Sequence, residues 1–164
     1  MGYNWLMIKT YLEGEEFLFL GEKYKLKFGN FKTILVLDGY LYFPQFLTFR
    51  IQKELRLWYL QQASLYIEKR VRYYSQRMKV NYVNVSIADT KSRWGACSHD
   101  NRLQFNWRLI MTPHAVLDSV VVHELAHTVV KNHSNAFWLQ VRKIMPGYSA
   151  NRSWINHHQN ELVI

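Results

Sequence analysis

The sequence predicts an α+β fold: short strands, one long helix, a second group of short strands, then a helical C-terminal third. Three observations point to it. Asp38-Gly39 stands between the apolar runs 34–37 and 40–43, a two-residue hairpin signature. Residues 48–79 contain neither Gly nor Pro and repeat apolar side chains every three or four positions, the period of a helix. Downstream, Thr112-Pro113 and Ser134 mark helix starts, and Pro146-Gly147 marks a stop.

In chain order, residues 17–28 alternate loosely and join the 34–43 hairpin in a small antiparallel lobe, assigned to residues 1–46. The remainder, 47–164, forms the main domain. Its long helix, with room for one break, presents Leu57, Leu60, Ser64, Ile67, Val71, Tyr74 and Met78 as a core-facing stripe. Val83, Val85 and Ile87 alternate as a strand. Residues 93–97 and 103–107 follow as two more, turning at Asp100-Asn101, to give a small antiparallel sheet. A helix from Thr112 to about residue 130 comes next, with Val116, Val120, His123 and His127 on one face. A last main helix carries Phe137, Val141 and Ile144, and residues 149–164 read as a short helix or coil.

At 164 residues, 49% hydrophobic and 16% aromatic, the chain has the material for a core without disulfides. Its single cysteine, Cys97, excludes an internal disulfide and points to a reducing compartment. Neither a membrane-length apolar run nor a signal-peptide pattern is present, and Leu6 rules out the Gly2 myristoylation motif, so a cytoplasmic location is expected. A net charge of +9 favours acidic partners, nucleic acid among them. Much of that excess lies in residues 50–79, where a solvated helix face is the preferred explanation.

The string VVVHELAHTVVKNHS carries the chemistry. On a helix, His123 and His127 lie about 40° apart and one turn from each other, so both imidazoles reach one ion. Catalytic zinc takes three protein ligands and keeps a fourth position for water. His133 is the candidate third, but on a continued straight helix it would lie about 9 Å beyond His127. The helix must therefore end first, and Lys131-Asn132 is the expected stop. Glu124, next to the first ligand, is the expected general base and then acid.

Several strings in order resemble the YgjP-like metallopeptidase family, relatives of the SprT-type proteases: KSRWGACS (91–98), FNWRLI (105–110), the TP that follows, VVVHELAH (120–127) and NHSNAFW (132–138). The similarity is sharp over 85–148 and extends weakly to FLFLGEKYKL (17–26). It implies a zincin-like metallopeptidase core, a small antiparallel sheet packed on an active-site helix and a long helix, with zinc on His123, His127 and His133 and Glu124 as catalyst. Thr128 replaces the family's usual Leu, and the segment before Phe17 is shorter than in fuller members. The resemblance also gives the 91–98 strand a role beside the active-site helix, with Arg93 and Trp94 as candidate substrate-binding residues lining the cleft. Both serve equally well as structural groups. Gly95 fits a close backbone approach. Tyr148, His157 and Arg93 are the candidates for stabilising an oxyanion.

The leading expectation is a zinc-dependent hydrolase acting on peptide bonds. Alternatives are hydrolysis of a nucleotide or other phosphorylated small molecule, and a nucleic-acid-associated module with a non-catalytic zinc. Three evident ligands, rather than the four of a structural site, favour catalysis.

Overall fold

Leu41 and Phe43, both fully buried, set the topology of the N-terminal sheet. The computed structural model describes residues 8–164, so the opening stretch around Gly2 lies outside the described residues. Strands β1 (Glu16–Phe19) and β2 (Glu22–Gly29) form a hairpin, and β3 (Leu35–Leu37) and β4 (Tyr40–Pro44) form the predicted one. Asp38 and Gly39 both take positive φ, 49° and 78°, the two-residue turn that matches strand twist. The order is β1-β2-β4-β3, and β2 and β4 run parallel. The expected all-antiparallel lobe is therefore corrected to a mixed sheet. Its cause is burial: β4 takes an inner position, where Leu41 and Phe43 pair with Leu26 and Phe28.

The core sheet repeats this solution. Strands β5 (Asn84–Ala88), β6 (Gly95–Cys97) and β7 (Arg102–Asn106) are ordered β5-β7-β6, with β5 and β7 parallel and β6 and β7 antiparallel. This sheet too is mixed where an antiparallel one was expected, because β7, carrying fully buried Leu103 and Phe105, is placed centrally. The strand expected over 93–97 begins only at Gly95, so Arg93 and Trp94 sit on its approach.

A 3-10 segment, Gln45–Arg50, precedes α1 (Ile51–Met78), which left-handed Lys79 closes at φ 56°. The buried stripe of α1 is Leu55, Tyr59, Ala63, Ile67, Val71 and Tyr74. Its C-terminal half agrees with expectation. In the N-terminal half, Leu57 is half exposed and Leu60 and Ser64 are only partly buried, a shift to the neighbouring helical track. Leu55 packs with the N-terminal sheet's core, and Trp58 touches both that core and the main one.

A second 3-10 segment, Trp107–Met111, leads into α2 (His114–Ala126). Pro113, not Thr112, occupies the position before the helix, and the Thr112 hydroxyl instead donates to the Leu109 carbonyl at 2.8 Å. Two devices position α2. Arg70 of α1 grips Asp118 with Nε–Oδ1 2.7 Å and Nη2–Oδ2 2.6 Å, and the Tyr74 hydroxyl adds 3.0 Å. The β1–β2 turn docks on the segment before the helix: Leu20 and Gly21 donate to the Ile110 and Met111 carbonyls at 2.7 and 3.1 Å. Gly21 is required there, since its φ is +84° and a Cβ would come within 2.8 Å of Pro113 Cα. The buried Tyr59 hydroxyl donates to the Leu18 carbonyl at 2.8 Å, tying α1 to β1.

Helices α3 (Asn135–Ile144), preceded by Ser134 as expected, and α4 (Tyr148–His158) follow, and a 3-10 segment, Gln159–Glu161, leads to buried Leu162. No helix among the described residues is long and apolar enough to cross a membrane.

Candidate metal centre

Helix α2 stops at Ala126, earlier than the predicted Lys131-Asn132, so that His127 caps it. Thr128 tightens this end: its amide and its hydroxyl both donate to the Leu125 carbonyl, at 3.0 and 2.7 Å. The Val129 and Val130 amides both turn back to the Ala126 carbonyl. Lys131 then reaches the β6–β7 hairpin, donating to the Ser98 carbonyl at 2.9 Å and Asn101 Oδ1 at 2.5 Å. This anchored loop delivers His133.

The three imidazoles converge. Their candidate ligand atoms all lie within 4.8 Å of one another, and His133 Nε2 is 3.2 Å from both His123 Nε2 and His127 Nε2. Two nitrogens on one tetrahedral zinc, each at about 2.0–2.1 Å, lie about 3.3 Å apart, so the spacing suits that ion. The outer nitrogens agree. His127 Nδ1 faces the Val130 carbonyl at 3.0 Å, and a carbonyl only accepts, so Nδ1 carries the proton and Nε2 presents its lone pair. His123 Nδ1 meets the Tyr148 hydroxyl at 2.9 Å. Burial, reinforced by neighbouring His127, His133 and Arg152, pulls His123 down to about 3, and burial lowers His127 as well. Both are thus held in the neutral form that binds a metal. Fully buried Phe137 of α3 forms the floor, stacking on His127 at 4.4 Å and lying 4.9 Å from the other two rings.

Glu124 is 6% exposed and lies beside the histidines rather than among the converging ligands. Burial raises its carboxyl to about 7, with Arg93 opposing the shift. Gly95 of β6 presses against it: a Cβ at that position would lie 2.7 Å from Glu124 Cγ and Oε1. The close approach expected at Gly95 is thus made to the glutamate side chain itself.

A cleft of about 520 Å³ opens over His123, Glu124 and His133. Arg93 and Trp94 both line it, and Arg93 Nη2 donates to Gln104 Oε1 at 3.3 Å. Tyr148 lines it too. His157 does not: it is exposed on α4, where its Nδ1 faces the Ser153 carbonyl at 2.7 Å. Sequence reasoning missed the orienting roles of Tyr148 and the Val130 carbonyl, the Phe137 floor, and Arg152 in the cleft wall. Pro146-Gly147 placed a helix boundary near Tyr148 but gave no sign of its partner.

The family model described as YgjP-like, metallopeptidase domain, matches residues 7–158. Among solved structures, the chain is similar to the metallopeptidase zymogen abylysin of Pyrococcus abyssi, with TM-score 0.52 and 19% identity over 59% of this chain and 99% of that one. It is also similar to the zymogen jannalysin of Methanocaldococcus jannaschii, with TM-score 0.50 and 20% identity over 56% of this chain and 94% of that one. No curated protein matches it. The structural likeness speaks for the fold and the family model for descent: the chain belongs to the YgjP-like metallopeptidase family.

Proposed function

We propose that the protein is a zinc-dependent peptidase in which His123, His127 and His133 hold the ion and Glu124 moves the proton. The observation that carries this reading is the convergence of three imidazoles, 3.2 Å apart at their shared member, beside a buried carboxyl and under an open cleft. Zinc on that donor set supplies Lewis acidity to a water and to the scissile carbonyl. No fourth protein ligand joins the three among the described residues, which favours a catalytic over a structural site.

The chain's own groups account for the rest. Glu124, shifted to about 7, accepts a proton from the attacking water on a carboxylate oxygen and gives it to the departing amine nitrogen. Val130 and Tyr148 hold His127 and His123 in orientation. Strand β6 is a sheet edge, and its outward backbone groups suit an extended peptide lying along it in the cleft that Arg93, Trp94 and Gly95 line. Arg93, whose charge acts on Glu124, is the remaining candidate to stabilise an oxyanion.

Metal analysis with a peptide library and a nucleotide panel tests the proposal. Glu124→Gln keeps zinc stoichiometry and loses turnover, whereas His127→Ala loses both. Turnover of nucleotides without peptides would refute the peptidase assignment, and turnover by Glu124→Gln would refute the role of the glutamate.

A further inference from the structure

Beyond the metal centre the cleft continues into a second recess of about 540 Å³, reached past Trp138 and Tyr148 and shared with the first through Arg152 and Asn156. Arg142 and Arg152 line it together with Ser149 and Ser153, and no carboxylate does. In the main cleft the only carboxylate is Glu124.

The state of the arginines makes this distribution informative. The chain has ten, and five of them, Arg50, Arg56, Arg70, Arg102 and Arg108, are paired with Asp or Glu. Of the five without such a partner among the described residues, three line the cleft and its recess: Arg93, Arg142 and Arg152. Arg142 spends its Nε on the Trp138 carbonyl at 3.3 Å, leaving its two terminal nitrogens free for another acceptor. A guanidinium presents a planar fork of donors that matches a carboxylate. Five of the other arginines meet the chain's own acids, whereas among the described residues the two in the recess meet none.

We infer that Arg142 and Arg152 form a carboxylate subsite, which gives the enzyme a preference for peptides bearing a negative carboxylate near the scissile bond. The inference rests on the peptidase reading for its substrate class. The carboxylate has two sources, an Asp or Glu side chain or the free C-terminus of a short peptide. Because both arginines are solvent-exposed, the preference weakens as salt is raised.

The test measures binding apart from turnover, using full-length, zinc-loaded Glu124→Gln protein and fluorescent peptides of one frame. One set moves a single Glu along an amidated peptide, a second carries Gln at the same positions, and a third is the Gln peptide with a free C-terminus. At one position the Glu peptide, or else the free-carboxylate peptide, binds on the order of tenfold tighter than the neutral amide. The arm that wins identifies the source. Adding Arg142→Gln and Arg152→Gln together brings that ratio close to one, and the double Lys variant retains part of it. Equal binding of all three peptide sets, which needs no arginine variant to observe, overturns the subsite; so does a ratio that survives the double Gln substitution. Wild-type turnover separates the two readings. Cleavage without discrimination removes the subsite and leaves the peptidase, and discrimination without cleavage of any peptide does the reverse.

Discussion

Replacing Gly95 with Ala tests whether the edge strand and the glutamate are packed as one unit. The new methyl carbon would lie 2.7 Å from Glu124 Cγ and Oε1 and 2.9 Å from Cδ. Ordinary carbon contacts are about 3.5–4.0 Å, so one side must yield by about 1 Å. The backbone of Gly95 resists, because it is paired with Phe105 of buried β7. Its φ lies outside the left-handed region, so Ala brings no backbone strain and the steric effect stands alone. The carboxyl therefore moves. Overpacking of this kind costs about 1–3 kcal/mol of stability, and a misplacement of about 1 Å costs on the order of a hundredfold in rate. Three measurements on one preparation read the outcome: urea unfolding, zinc stoichiometry and kcat/KM on a cleaved peptide. The expected result is a folded variant with full zinc and deeply reduced kcat. Wild-type kcat, or a loss that merely follows lost zinc, would refute the packing argument.

Three other outcomes are expected. In chelator-stripped protein, Glu124 has a folded pKa of about 7 against an ordinary 4.5, so its neutral form contributes stability fully below pH 4.5, and that contribution is lost as pH rises through 7. Wild type should therefore lose about 3 kcal/mol relative to Glu124→Gln between pH 4.5 and 8 in urea titrations, and a pH-independent difference would count against burial as the cause. Tyr148→Phe removes the partner of His123 Nδ1 and should weaken zinc about 10–100-fold in chelator competition; unchanged affinity with lost turnover would move Tyr148 to an oxyanion role. Arg70→Ala strands Asp118, whose side chain is 9% exposed, and should destabilise the fold by about 3–5 kcal/mol, whereas pairing it with Asp118→Asn should restore much of the loss.

The sequence made plainest what a single helical turn encodes. The four-residue spacing of His123 and His127 fixes their relative direction whatever surrounds them, and the need for a break before His133 follows from the rise per residue. The position of that break did not. Lys131-Asn132 has the composition of a helix end, but Thr128 closes the last turn earlier and Lys131 is used to anchor the loop. Leu57 shows the same limit on α1. Apolar residues at 57, 58, 59 and 60 supply two adjacent tracks, and which is buried depends on where the Trp107–Met111 segment and α2 lie, not on periodicity within the helix. Strand order fails for a related reason: β4 and β7 lie inside their sheets with Leu41, Phe43, Leu103 and Phe105 fully buried, a placement set by the whole sheet that no local alternation contains.

The groups that orient the proposed ligands lie one step further from the sequence. Val130 acts through a backbone carbonyl, which every residue possesses, so no letter marks it. Tyr148 acts across 25 positions, from the first residue of a helix whose sequence reads equally well as coil. Gly95 is an intermediate case: its identity signals a close approach, but only the fold shows that the neighbour is Glu124. The proposed ligand set is therefore a property of one segment, whereas the tautomer of His127, the orientation of His123 and the position of the Glu124 carboxyl are set by the loop after α2, by α4 and by β6. It follows that the HExxH turn transplanted without these elements would keep its two imidazoles on one face yet lose the constraints that aim them at a common point. The third histidine, carried by the Lys131-anchored loop, would be the first to go astray.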